Sequence, residues 1–111
     1  MVREIDFVNK YGSNDRHRRK HLAEKGRILK FTVQFETKIG DHWYPVVRYD
    51  TAHGYVHRDL MHPGNYTEKT HVDVADFNVG LTFAEADVRK NWRRYKSVFL
   101  KEWREYESKK K

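Results

Sequence analysis

Cysteine is absent from the 111 residues of this chain, so neither a disulfide framework nor a thiolate metal site is available, and nothing argues for an oxidising compartment. Long apolar runs are missing too. The longest are a few residues, so neither a membrane span nor a signal-peptide core is expected and the chain reads as cytoplasmic. With two prolines and six glycines there is no visible linker, and no internal repeat. Acidic residues are the minority charge, 16 Asp and Glu against 23 Lys and Arg, a formal +7 with the seven histidines neutral. That field attracts polyanions, whether RNA, DNA or an acidic protein.

What the chain does have is aromatic area: three Trp, seven Tyr and six Phe, enough to support a core despite an apolar fraction of 38%. The length fits one small domain that buries roughly two thirds of its unfolded surface. The expected organisation is a basic N-terminal segment over 1–26, one α+β domain over 27–106, and a disordered basic tail over 107–111.

Residues 1–12 carry Ile5, Phe7, Val8 and Tyr11, a weak pattern that fits an edge strand or a loose arm. From a cap at Ser13 or Asn14, the run Asp15 to Lys25 reads as a short helix stopped by Gly26. Only Leu22 and Ala23 in it are apolar, so the segment reads either as solvated and partly disordered or as a phosphate-contacting arm using Arg16, Arg18, Arg19 and Lys20.

Arg27 to Lys38 alternates, with Leu29, Phe31, Val33 and Phe35 on one side and Lys30, Thr32, Gln34 and Glu36 on the other, a half-buried strand. A loop of Gly40, Asp41 and His42 leads into a second strand, Trp43 to Asp50, setting Phe35 opposite Val47 and Val33 opposite Tyr49. Pro45 near its start points to an edge or bulge. A four-residue loop, Thr51 to Gly54, gives a third strand from Tyr55 to about Met61, in which Asp50 faces Tyr55, Arg48 faces His57 and Val46 faces Asp59. Arg58 is the misfit, since alternation turns it towards the core. After a turn at Pro63, Gly64 and Asn65, a fourth strand runs from about Thr67 to Val74. Thr82 and Glu85 form a T-x-x-E capping box, followed by Ala84, Val88, Trp92, Tyr95, Phe99, Trp103 and Tyr106 at helical spacing. The predicted fold is α+β: a four-stranded antiparallel meander packed against a long C-terminal helix, with a short basic N-terminal helix or arm.

The open face of that sheet collects Gln34, Arg48, Asp50, Tyr55, His57 and Asp59. Cross-strand Cβ atoms lie about 4.5 to 5.5 Å apart, so Arg48 and His57 can touch one phosphate. A metal-independent ribonuclease wants this set: a histidine to take the 2′-hydroxyl proton, an acid for the leaving oxygen and an arginine for the charge on phosphorus. His57 is the first candidate because imidazole ordinarily titrates near neutrality; Tyr55 or His53 is its complement, with Arg48 and Arg58 as clamps and Asp50 beside them. The bland alternative is a wet face of weakly paired polar groups. His53, His57, His62 and His71 with Asp50 and Asp59 show no standard metal-ligand spacing, so no metal or cofactor is expected.

The segment VRYDTAHGYVHRDLMH (Val47 to His62) resembles the R-Y-D-[NT]-A-H-G, H-x-[HD] signature of small proteins related to the TumE toxins of prokaryotic toxin–antitoxin pairs. Those proteins combine a short antiparallel sheet with helical ends. The resemblance covers about twenty residues and marks Arg48, Tyr49, Asp50, His53 and His57; where those proteins often carry a denser histidine cluster, this chain has Arg58 and Asp59. It implies growth-inhibiting activity on RNA or translation, with a cognate antitoxin as partner. Two other readings stand beside it: a non-catalytic nucleic-acid-binding module using Arg16, Arg18, Arg19 and Lys20 with Arg89, Arg93 and Arg94 of the last helix, and an interaction module for an acidic protein. The sequence leaves the oligomeric state open.

Overall fold

The computed structural model describes residues 1–110. Six strands pair in chain order as one antiparallel meander, β1 (Val2–Lys10), β2 (Asp15–Glu24), β3 (Arg27–Ile39), β4 (His42–Asp50), β5 (His57–His62) and β6 (Tyr66–His71), followed by helix α1 (Phe77–Lys109). The class is α+β as expected, but with six strands in place of four.

The extra pair comes from the N-terminal segment, which is not a helix. Asp15–Glu24 is β2, bonded to β1 on one side and β3 on the other. Its alternation is of polar against polar, which is why it does not read as a strand. Asp15, His17, Arg19 and His21 turn to the helix side, opposite Thr37, Phe35, Val33 and Phe31, while Arg16, Arg18 and Lys20 turn to the open side. Gly26 ends no helix; it makes a two-residue hairpin turn with Lys25, both at positive φ (79° and 51°), the conformation such a turn requires.

The β3–β4 register is the expected one, with Phe35 opposite Val47 and Val33 opposite Tyr49. Pro45 sits at a bulge: Glu36 pairs with Pro45 while Phe35 pairs with Val47, leaving Val46 as the additional residue. The β4–β5 connection differs. Asp50 pairs with His57, Arg48 with Asp59 and Tyr49 with Arg58, so the loop spans residues 51–56 and the register is two residues from the expected one. Thr51 explains the shift. Its hydroxyl accepts from the Phe31 amide (3.0 Å) and donates to the Phe31 carbonyl (3.4 Å), taking the place of a paired strand, and Val56 turns into the core. At the far edge β6 ends at His71, and Val72 and Val74 pack against the core instead of continuing it.

The helix begins earlier than the T-x-x-E signal. Asp76 is the cap, its carboxylate accepting from the Val79 amide at 2.8 Å. Thr82 instead donates to the Asn78 carbonyl, and Glu85 is buried against the sheet. Gly80 lies at a close approach of α1: a Cβ there would meet Val56 at 2.8 Å. The expected stripe closes the core, with Ala84, Val88, Trp92, Tyr95 and Phe99 buried over Phe31, Val33, Phe35, Val47 and Tyr49. At 33 residues the helix is about 50 Å long. It runs through Glu107 to Lys109, part of the segment expected as a tail; Lys111 lies outside the described residues. Among the described residues no helix is long and apolar enough to cross a membrane.

Candidate nucleic-acid interface and histidine corner

Strand alternation gives the sheet two unlike faces. On the face away from α1, cross-strand pairing builds two transverse rows. One is Val8, Arg18, Gln34, Arg48, Asp59 and Lys69; the other is Asp6, Lys20, Thr32, Asp50, His57 and His71. A hydrogen-bonded chain stiffens the first. Arg48 Nε donates to Gln34 Oε1 (2.6 Å), Gln34 Nε2 donates to Glu36 Oε2, and Arg16 Nε donates to Glu36 Oε1 (2.7 Å). Arg16 also lies 3.8 Å over the Trp43 ring. Both guanidinium groups are held through Nε, which leaves their outer nitrogens to meet an anion.

At one end of the second row four rings gather. His53 and Tyr55 from the loop, His57 from β5 and His71 from β6 form a chain of contacts: His53–His57 5.8 Å, Tyr55–His57 5.7 Å, His53–Tyr55 6.2 Å and Tyr55–His71 4.8 Å between centroids. The sequence candidates Arg48, Asp50, His53, Tyr55 and His57 therefore do share one region. They are not equally accessible. His57 is 2% exposed and its Nε2 faces Asp59 at 3.8 Å, whereas Tyr55 is 37% exposed and His53 and His71 are open to solvent. Asp59 is tied in turn to Lys69 at 3.5 Å. Among the described residues no group of three or more histidines and carboxylates is placed to hold a metal ion.

The other basic candidates lie elsewhere. Arg19, on the helix side, stacks 4.1 Å over Phe7 and approaches Glu85 at 3.5 Å. Arg89 pairs with the same carboxylate at 3.4 Å, Arg93 lies over Trp92 and Arg94 over Tyr95. These four do not join Arg16, Arg18, Lys20 and Arg48 in one surface.

Two polar clusters on the helix side escape a reading by alternation. Asp87 accepts from Tyr49 Oη, Tyr95 Oη and Asn91 Nδ2, each at 2.6 Å, and Arg58 donates to Tyr95 Oη at 3.2 Å. Arg58 does turn towards the helix, as alternation demands, and this network is what receives it. Burial alone would raise the Asp87 pKa; the three hydrogen bonds and the Arg58 charge outweigh it and hold the carboxyl below its ordinary value. Burial, then Asp87, push Tyr49 and Tyr95 upwards. In the second cluster His17, fully buried, takes Tyr11 Oη at Nδ1 (2.7 Å) and faces Glu85 with Nε2 (3.0 Å). Burial works against the charge of Glu85, yet His17, Arg19 and Arg89 keep its pKa low. Further along, His62 bridges Glu102 of α1 (2.7 Å) and Glu68 of β6 (3.2 Å), and these two carboxylates raise its pKa against the effect of burial.

The fold and this surface define an α+β protein with one sheet face closed by a helix and the other presenting cations, a tyrosine and histidines. A family model described as a domain of unknown function (DUF7718) matches residues 2–105, so the chain belongs to that family. No curated protein and no solved structure matches it.

Proposed function

We propose that this protein acts on RNA through the open face of its sheet, and that the His53–Tyr55–His57–His71 corner is a metal-independent ribonuclease centre. The observation that supports this most directly is the corner itself, four rings in contact at the end of the face that carries Arg18 and Arg48. A single strand crossing β2 to β5 meets Arg18 and Arg48 with its phosphates and stacks a base on Tyr55. Since His57 is sealed beneath the loop, the groups that touch substrate are the exposed imidazoles. His53 takes the 2′-hydroxyl proton, the 2′-oxygen bonds to phosphorus, and the bond from phosphorus to the 5′-oxygen breaks as His71 protonates it. Arg48 stabilises the added charge on the phosphoryl oxygens. His57, packed against both His53 and Tyr55, positions them. In this reading the toxin-like activity implied by the RYDTAHG segment is RNA cleavage, and a cognate antitoxin is its partner.

The test is a 5′-labelled single-stranded RNA incubated in chelator. Cleavage to 2′,3′-cyclic phosphate ends is expected, lost with a 2′-deoxy substrate and reduced about 10²-fold or more by His53→Ala. RNA left intact by wild-type protein, with and without added metal, removes the reading. A non-catalytic RNA-binding module is the second reading, favoured by the burial of His57. It predicts salt-sensitive binding that is indifferent to His53 and His71.

A further inference from the structure

Beside the histidine corner the open face sinks into a cleft of about 480 Å³ whose walls include Glu4, Lys20, Leu22, Lys30, Thr32 and Asp50. Its shape follows from two local features. Thr32 is short and sits in register between Lys20 and Asp50, two strand spacings or about 9.5 Å apart, leaving a trough between longer side chains. At Leu22/Ala23 the β2–β3 register shifts by a bulge that passes over Leu29 and bends the strand pair at the cleft's outer end.

The charges around this trough are of both signs, and they are loosely committed. Lys20 is held by a 3.8 Å pair with Asp6, and Asp50 Oδ1 accepts from the Ala52 amide at 2.8 Å, which fixes the carboxylate. Among the described residues no ion pair claims Asp50 or Lys30. A bare phosphate would meet two carboxylates, and an apolar ligand would leave four charges unanswered. The complementary ligand is a planar one with donors on one edge and acceptors on another.

We propose that this cleft is a guanine subsite, and that the RNA taken by the neighbouring corner is recognised through a guanosine. Guanine presents two adjacent donors, N1–H and N2–H₂, to a carboxylate, and two acceptors, O6 and N7, to an ammonium group. Adenine and cytosine would set a ring acceptor against Asp50 Oδ2, and uracil offers a single donor flanked by acceptors. In the site Asp50 Oδ2 accepts from N1–H and N2–H₂, while Lys20 and Lys30 donate to O6 and N7. Asp50 pairs across the strands with His57, so a base held there has its ribose and phosphate at the histidine corner. The inference rests on the RNA-acting reading, but its test does not require cleavage.

The experiment is an NMR titration of the full chain with 3′-GMP, 3′-AMP, 3′-CMP and 3′-UMP. Expected is binding of 3′-GMP about tenfold or more tighter than the others, with shifts at the amides of Thr32, Asp50 and Ala52. Asp50→Asn turns an amide donor where an acceptor was needed and abolishes the preference; Lys30→Gln, which leaves the Asp50 turn intact, weakens 3′-GMP selectively. Equal binding of all four nucleotides, or shifts confined to the Arg18–Arg48 row, overturns the inference. Selective 3′-GMP binding by a protein that leaves RNA intact supports it and removes the ribonuclease reading. RNA cut without selective nucleotide binding does the reverse.

Discussion

Replacing Asp87 is the sharpest probe of how the helix is held on the sheet. In Asp87→Ala the Tyr49 hydroxyl, on a residue 1% exposed, and the Tyr95 hydroxyl both lose a charged acceptor, and Asn91 loses its partner. A hydrogen bond to a charged group contributes about 1.5–3 kcal/mol, and a buried hydroxyl left without a partner costs about 1–3 kcal/mol. Alanine recovers about 0.5 kcal/mol through its helix propensity. Water reaching the half-buried carboxylate site offsets part of the loss, so a net destabilisation of about 3 kcal/mol is expected. At about 4 °C per kcal/mol for a domain of this size, the melting temperature falls by about 12 °C. Circular dichroism melts and urea titrations at pH 7 measure it. The pH dependence supplies a second handle. The folded pKa of Asp87 is depressed, so its contribution is present above the unfolded carboxyl value and is lost as pH falls through the folded one. The gap between wild type and Asp87→Asn, whose side chain cannot ionise, therefore narrows below about pH 4. Asp87→Ala within 0.5 kcal/mol (roughly the spread of neutral surface changes) of wild type, or a gap to Asp87→Asn that stays flat from pH 7 to pH 3, would refute this account.

His62 has the opposite sign. Its folded pKa is raised by Glu102 and Glu68, so its stabilisation is full below the unfolded histidine value and is lost as pH rises through the folded one; the stability gap between wild type and His62→Gln, read from urea midpoints, should shrink between pH 6 and pH 9. For RNA binding, each phosphate contact removed should lower the salt slope by about 0.7. Arg18→Ala and Arg48→Ala are expected to do so and Arg93→Ala, on the helix side against Trp92, is not; equal effects of all three would mean that the open face is not the contact surface.

How much of this fold the sequence discloses depends on what fills each strand's inward positions. Where they are apolar, as at Phe31, Val33 and Phe35, period-two alternation shows the strand and even its partner's register. The helix stripe from Ala84 to Phe99 is legible for the same reason. In β2 the inward residues are Asp15, His17, Arg19 and His21, and no hydrophobic pattern betrays them. Asp15, His17 and Arg19 are tolerated inside because each finds a partner outside β2: Asp15 with Thr37 (2.9 Å) and Lys96 (2.8 Å), His17 with Tyr11 and Glu85, Arg19 with Phe7. Apart from His17 with Tyr11, those pairings are distant in sequence, so a composition reading takes a buried strand for a solvated basic segment.

The candidate site was legible to the extent that parity protects it. The β4–β5 register is two residues from the expected one, and because side chains repeat every second residue, a shift of two moves neighbours without changing faces. Arg48, Asp50, His57 and Asp59 thus stay together on the open side, though Arg48 faces Asp59 and Asp50 faces His57. What parity cannot convey is depth. His57 is on the wet face and still buried, because the loop carrying His53 and Tyr55 folds over it and His71 from β6 packs against Tyr55. A residue that a strand diagram makes the natural acid or base is thereby placed behind the groups able to meet a substrate. The first variants to compare are His53→Ala and His71→Ala against His57→Phe. A positioning role for His57 requires that His57→Phe, which keeps the ring packing, retain activity that the other two lose.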